Sequence, residues 1–134
     1  MIVVDSSAII AILRVEPERD AFLEKILTDS APLISAASVM ECSIVFRALK
    51  QVTAERAEGT LDALLQDCNL AVRPISLDNL SVARTAHIRY GKGSGHPAQL
   101  NFGDCFSYAL AKSLGVPLLF KGRDFARTDI ARAI

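Results

Sequence analysis

Four carboxylates in this 134-residue chain have contexts that suit a cation site: Asp5, Glu41, Asp104 and Asp124. Asp5 ends an apolar, largely β-branched run and is followed by two hydroxyls, in "IVVDSSA". Glu41 has Ala37, Ile44, Val45 and Ala48 as its helical neighbours, and no basic residue stands at helical spacing to it. A carboxylate on such an apolar stripe needs a partner from elsewhere in the fold or from solution. Asp104 comes after the loop-like stretch "GKGSGHPAQLN", and Asp124 comes after "VPLLF" by the short turn "KGR". Two carboxylates ~5 Å apart repel by about 3 kcal/mol at an effective dielectric near 20. Six such pairs would total on the order of 20 kcal/mol, at or above the ~5–15 kcal/mol net stability of a domain. Four acids that meet must therefore protonate or bind cations. An all-oxygen set without His or Cys suits Mg²⁺ or Mn²⁺, and such sites handle phosphate chemistry.

Each acid also has a purely structural use. Asp5 could cap a helix beginning near Ser7. Ser38 and Glu41 have the spacing of a capping box. Asp104 suits a helix N-terminus through the dipole, and Asp124 suits an Asx turn. A fifth acid, Asp129 in "RTDI", has the same turn or cap alternative.

The elements that would position these residues alternate. Residues 2–4 read as a buried strand, 32–35 as a short strand, 70–75 as holding a third and 116–120 as a fourth. Helical patterns cover 7–14, 17–28 with Pro17 in the first turn, 36–50, 54–67, 77–90 and 104–114, the last closed by Gly115. The stripe Leu61, Leu64, Leu65 and Cys68 faces inward in one helix; Leu80, Ala83, His87 and Tyr90 share a face in another. Residues 91–101 form a loop by their Gly and Pro content. Strands alternating with helices imply an α/β fold with a mostly parallel sheet covered on both faces. Ligands in such folds bind beyond the carboxyl ends of the strands, where Asp5 and Asp124 are expected to lie.

Composition sets the outer limits. The length suits one domain over residues 1–134 with a sizeable core. Half of the residues are hydrophobic, which argues against disorder. No apolar run approaches the ~18 residues of a membrane span, and "MIVVD" lacks the features of a secretory signal, so a cytoplasmic protein is expected. Cys42, Cys68 and Cys105 are odd in number and form no CxxC, so they read as core thiols. The formal net charge is zero, which argues against a protein that coats nucleic acid by charge alone. It leaves room for an acidic centre ringed by Lys and Arg.

With these residues assembled, the chain resembles the PIN-domain ribonucleases, specifically the VapC-type toxins of bacterial toxin–antitoxin pairs. The resemblance rests on "VVDSSAIIAIL", "SAASVMEC", "NFGDCFSYALA" and "LLFKGRDFARTDI", and it spans nearly the whole chain. It implies a three-layer α/β/α sandwich and places the acidic centre on Asp5, Glu41, Asp104 and Asp124, with the family's small hydroxyl residue at Ser7. It further implies one or two divalent ions, a homodimer, and a VapB-type antitoxin that crosses the acidic pocket.

The reaction expected is endonucleolytic cleavage of RNA by metal-activated water. Asp5 and Asp104 are the foremost ligand candidates, Glu41 and Asp124 complete the pocket, and Ser7 could orient a ligand or water. Lys92, Lys121 and Arg123 are the main candidates to hold the RNA backbone, with the 91–101 loop able to close on it. Rival readings fare less well. A haloacid-dehalogenase-like phosphatase would want Asp where Ser7 stands, and a receiver domain would want paired acids after the first strand. A housekeeping PIN nuclease outside a toxin pair, or a non-catalytic module whose acids merely cap helices, are the alternatives.

Overall fold

A computed structural model describes residues 1–49 and 52–134. Among these residues four short strands, β1 (Ile2–Val4), β2 (Pro32–Ser35), β3 (Ala71–Arg73) and β4 (Leu118–Leu119), form a sheet of order β3-β2-β1-β4. Every pairing is parallel, with Val3 opposite both Leu33 and Leu118. Parallel strands need crossovers, and among the described residues six helices supply them: α1 (Ser6–Leu13), α2 (Arg19–Thr28), α3 (Ala36–Arg47), α4 (Ala54–Asp67), α5 (Leu77–Tyr90) and α6 (Phe102–Leu114). The helix expected over 36–50 reaches Arg47; its expected end at Lys50 lies outside the described residues.

Side chains alternate along a strand, so one strand feeds two cores. Ile2, Val4, Ile34 and Leu119 face Ile9, Ile12, Phe22, Ile26 and Leu61 on one side. Val3, Leu33, Leu118 and Phe120 face Ala83, Ala86, Tyr90, Tyr108 and Ala109 on the other. The result is the expected α/β/α sandwich. Cys42 and Cys68 belong to the first core and Cys105 to the second, all as free buried thiols.

Two local expectations change. Pro17 stands ahead of α2 rather than in its first turn. In α5 the buried face is Ala83, Ala86 and Tyr90, so Leu80 and His87 of the expected stripe are exposed; the inward face is the neighbouring one at the same three- and four-residue spacing. The tail adds an isolated bridge, Leu118 to Arg132, at the β4 edge. Among the described residues, no helix is long and apolar enough to cross a membrane.

Candidate active site

The parallel sheet sends the carboxyl ends of β1, β2 and β4 to one edge; Asp5, α3 and the Asp124 turn follow those ends, and α6 brings Asp104 beside them. Asp5 directly succeeds β1 and caps α1, its Oδ2 accepting from Ser7 N at 2.9 Å. Its Oδ1 accepts from Ser107 Oγ at 2.6 Å, and the side chain is 1% exposed. Capping and a place in the pocket are thus compatible for one carboxylate. Ser35, at the end of β2, caps α3 through Ala37 N. The helix therefore begins before Ser38, and the Ser38–Glu41 capping box does not form. Instead Glu41, half-buried in the second turn, accepts from Ser6 Oγ at 3.4 Å. Its neighbours Ile44 and Val45 are exposed, so the apolar stripe is only partly covered.

Asp104 is the third residue of α6, not its first. It forms a reciprocal capping box with Asn101, donating N–H to Asn101 Oδ1 at 2.9 Å and accepting from Asn101 N at 3.0 Å. Gly103 lets α3 approach α6: a Cβ there would fall inside the Glu41 carboxylate. Asp124 lies beyond β4 on an exposed turn, ahead of a short 3₁₀ helix, Phe125–Arg127, and its side chain makes no cap.

Electrostatics ties these acids together. Burial, then the neighbouring charges of Asp5 and Asp104, push the Glu41 carboxyl up to about 7. Burial, with Asp5 and Asp124 adding to it, pushes Asp104 up to about 6 against the lowering bond from Asn101. Asp5 and Asp104 thus act on Glu41, and Asp5 and Asp124 act on Asp104. Among the described residues, no three acidic, His or Cys side chains converge tightly enough to hold an ion as they stand. Asp5 and Asp104 are directed into local hydrogen bonds, so a cation would have to compete with the Asn101 bond for Asp104. The donor set nevertheless fits a hard divalent ion: half-buried carboxylates that repel one another, with no side-chain cation paired to Glu41 or Asp104 among the described residues.

This crowding makes stability depend on pH with a definite sign. Carboxyls raised in the folded state take up protons more readily there than in the unfolded chain, so their contribution favours folding at low pH. It is lost as pH rises from about 4.5 through about 7 for Glu41. In chelator, urea melts should show stability falling between about pH 5 and pH 8 by roughly 1–2 kcal/mol, after allowing for solvent screening. Glu41→Gln should flatten that slope. A midpoint that rises with pH over this window in both proteins would contradict the reading.

The remaining candidates separate. The Ser7 hydroxyl accepts from Lys121 N at 3.0 Å and so pins the loop that carries Asp124. Lys121 Nζ is held by Glu16 at 3.0 Å and Glu18 at 3.1 Å, which compensates its charge. Lys92 and Arg123 are exposed. The 91–101 loop is fastened rather than open: Lys92 N donates to Leu100 O, Leu100 N to Tyr90 O and Arg127 Nη1 to Pro97 O. Asp129 is engaged by Tyr108 at 2.5 Å and Lys112 at 2.8 Å, which lower its carboxyl to about 2. Sequence reasoning missed Ser6 and Ser107 in the site and read Ser38 only as a cap. Ser38 lies one helical turn before Glu41, and Ser107 one turn after Asp104. A small hydroxyl at that spacing from each acid was the available signal.

Comparison with known proteins identifies the family. The family model described as "PIN domain" matches residues 2–131. A VapC ribonuclease of Mycobacterium bovis and ribonuclease VapC28 of Mycobacterium tuberculosis are each 44% identical over 132 residues, covering 98% of this chain and 97% of the relative. Among solved structures, the sarcin-ricin loop cleaving toxin VapC20 of M. tuberculosis has a TM-score of 0.75 at 16% identity, covering 98% of this chain and 97% of that one. VapBC2 of Rickettsia felis, solved bound to a promoter DNA fragment, has a TM-score of 0.76 at 16% identity, covering 98% and 96%.

Proposed function

Since the chain belongs to the PIN-domain family and, within it, to the VapC ribonucleases, we propose that it is the RNA-cleaving toxin of a toxin–antitoxin pair. The observation that carries this reading is the relationship at 44% identity to VapC ribonucleases, which extends over nearly the full length of both chains. The gathering of Asp5, Glu41 and Asp104 from three separate elements supports it. Solved relatives of the same fold include a toxin–antitoxin complex from Klebsiella pneumoniae and the R. felis VapBC2 assembly. A VapB-type antitoxin is accordingly the proposed inhibitor, a homodimer the proposed active form, and the cytoplasm the proposed place of action.

Asp5, Glu41, Asp104 and Asp124 would hold Mg²⁺ or Mn²⁺. The ion supplies a charge that lowers the pKa of a water and offsets the charge of a scissile phosphate. Asp5 offers a carboxylate already oriented at both oxygens. Glu41 and Asp104 approach from α3 and α6 across the gap that Gly103 keeps open. Asp124 stands at the exposed rim on a loop fastened by Ser7. Lys92 and Arg123 are exposed and are the cations proposed to meet the phosphates of an RNA strand, whereas Lys121 is held by Glu16 and Glu18. Purified protein should cut RNA when Mg²⁺ or Mn²⁺ is added and stop when EDTA is added, read on a gel of end-labelled RNA. Cleavage indifferent to EDTA would remove the metal from this account. Absence of cleavage together with no thermal stabilisation by Mn²⁺ would favour the non-catalytic module.

A further inference from the structure

We propose that Ser107 and Ser38 form a buried hydroxyl relay that fixes the orientation of Asp5 for cation binding, an inference that rests on the metal-dependent reading above. Ser107 Oγ lies 2.6 Å from Asp5 Oδ1 and 2.8 Å from Ser38 Oγ. Asp5 is 1% exposed, and both serines are fully buried. Ser107 Oγ donates to Asp5 Oδ1, which uses its one hydroxyl proton, so Ser38 must donate to Ser107. Every proton in the chain points towards Asp5.

The relay has a second geometric role. Ser38 lies on α3 one turn before Glu41, and Ser107 lies on α6 one turn after Asp104. The hydroxyl pair therefore clasps the two helices that carry the other inner acids, at the level of Asp5. Ser7 N holds the opposite oxygen of Asp5 at 2.9 Å, so the carboxylate is restrained at both ends and cannot swing. Partners of this kind, which orient a ligand without touching the ion, typically change metal affinity or activity by about 10–100-fold when removed. Ser38 and Ser107 are positioning residues: neither touches the substrate.

The test compares wild type, Ser107→Ala, Ser107→Thr and Ser38→Ala by Mn²⁺ calorimetry, thermal melting and kcat against KM for RNA. Ser107→Ala should weaken Mn²⁺ binding about 10-fold or more and lower kcat with little change in KM. Ser107→Thr keeps the donor but adds a methyl to a filled core, so it should melt earlier yet bind Mn²⁺ like wild type. Ser38→Ala leaves Ser107 able to donate and should weaken Mn²⁺ binding less than Ser107→Ala. Mn²⁺ affinity unchanged in Ser107→Ala, or falling in step with melting temperature across all three variants, overturns the relay. Should Ser107→Thr fail to fold, the order of Ser107→Ala and Ser38→Ala decides. Wild type that binds no Mn²⁺ would instead overturn the metal reading itself, and the relay with it.

Discussion

Asp5→Asn is expected to remain folded and to lose RNA cleavage by on the order of 100-fold or more, equivalent to about 2.7 kcal/mol of barrier. Asp5 is almost wholly buried, so a substitution there would ordinarily be disruptive. Here the hydroxyl chain can adapt. The Asn oxygen can accept from Ser7 N, its amide can donate to Ser107 Oγ, and Ser107 can turn its own proton to Ser38. The variant also removes one of the charges that raise Glu41 and Asp104. Its stability in chelator should equal or exceed that of wild type near pH 8, while its Mn²⁺ affinity falls. Time courses on RNA, with urea melts on the same preparations, measure both. A folded Asp5→Asn protein with full activity would end the proposal that this acid serves the reaction.

Gly103→Ala should separate activity from stability in another way. The added Cβ would occupy the space of the Glu41 carboxylate. That carboxylate is the far end of a flexible side chain, so it can swing aside with little strain on the fold. Ala in place of Gly inside a helix offers up to ~1 kcal/mol in compensation. Melting temperature should therefore change little, by the equivalent of about 1 kcal/mol or less. Cleavage and Mn²⁺ affinity should fall about 10-fold or more, because Glu41 is displaced from Asp5 and Asp104. Loss of folding, or unchanged Mn²⁺ affinity, would contradict the view that Gly103 exists to admit Glu41. Near pH 8 the variant should also lose part of the destabilisation assigned to the crowded carboxyls.

Much of this protein was legible in its sequence because two signals there are local and strong. Apolar β-branched runs alternating with helical periods specify a parallel sheet between helical layers, since only that arrangement buries both faces of such strands. In that topology an acid directly after a strand, such as Asp5, must lie at the carboxyl edge. Boundaries were less legible. The helix at Asp104 begins earlier because Asn101 caps it reciprocally, and α3 begins at Ala36 because Ser35 rather than Ser38 is its cap. Capping depends on which of several nearby polar residues has extended backbone, and a lone sequence leaves several candidates equivalent.

The sequence by itself determined which residue types were available for the chemistry: four acids, with no His or Cys suited to join them, in an order that a parallel sheet can gather. Only the tertiary structure decided how they are used. It joined Ser107 to Asp5 across 102 positions and Ser38 to Ser107 across 69. It also placed Glu41 against Gly103, tied Lys121 to Glu16 and Glu18, and engaged Asp129 with Tyr108 and Lys112. The reason is physical. A carboxylate's role depends on what lies within about 3 Å of its oxygens and on how much water remains there. Both are set by helices that meet only after the chain has folded.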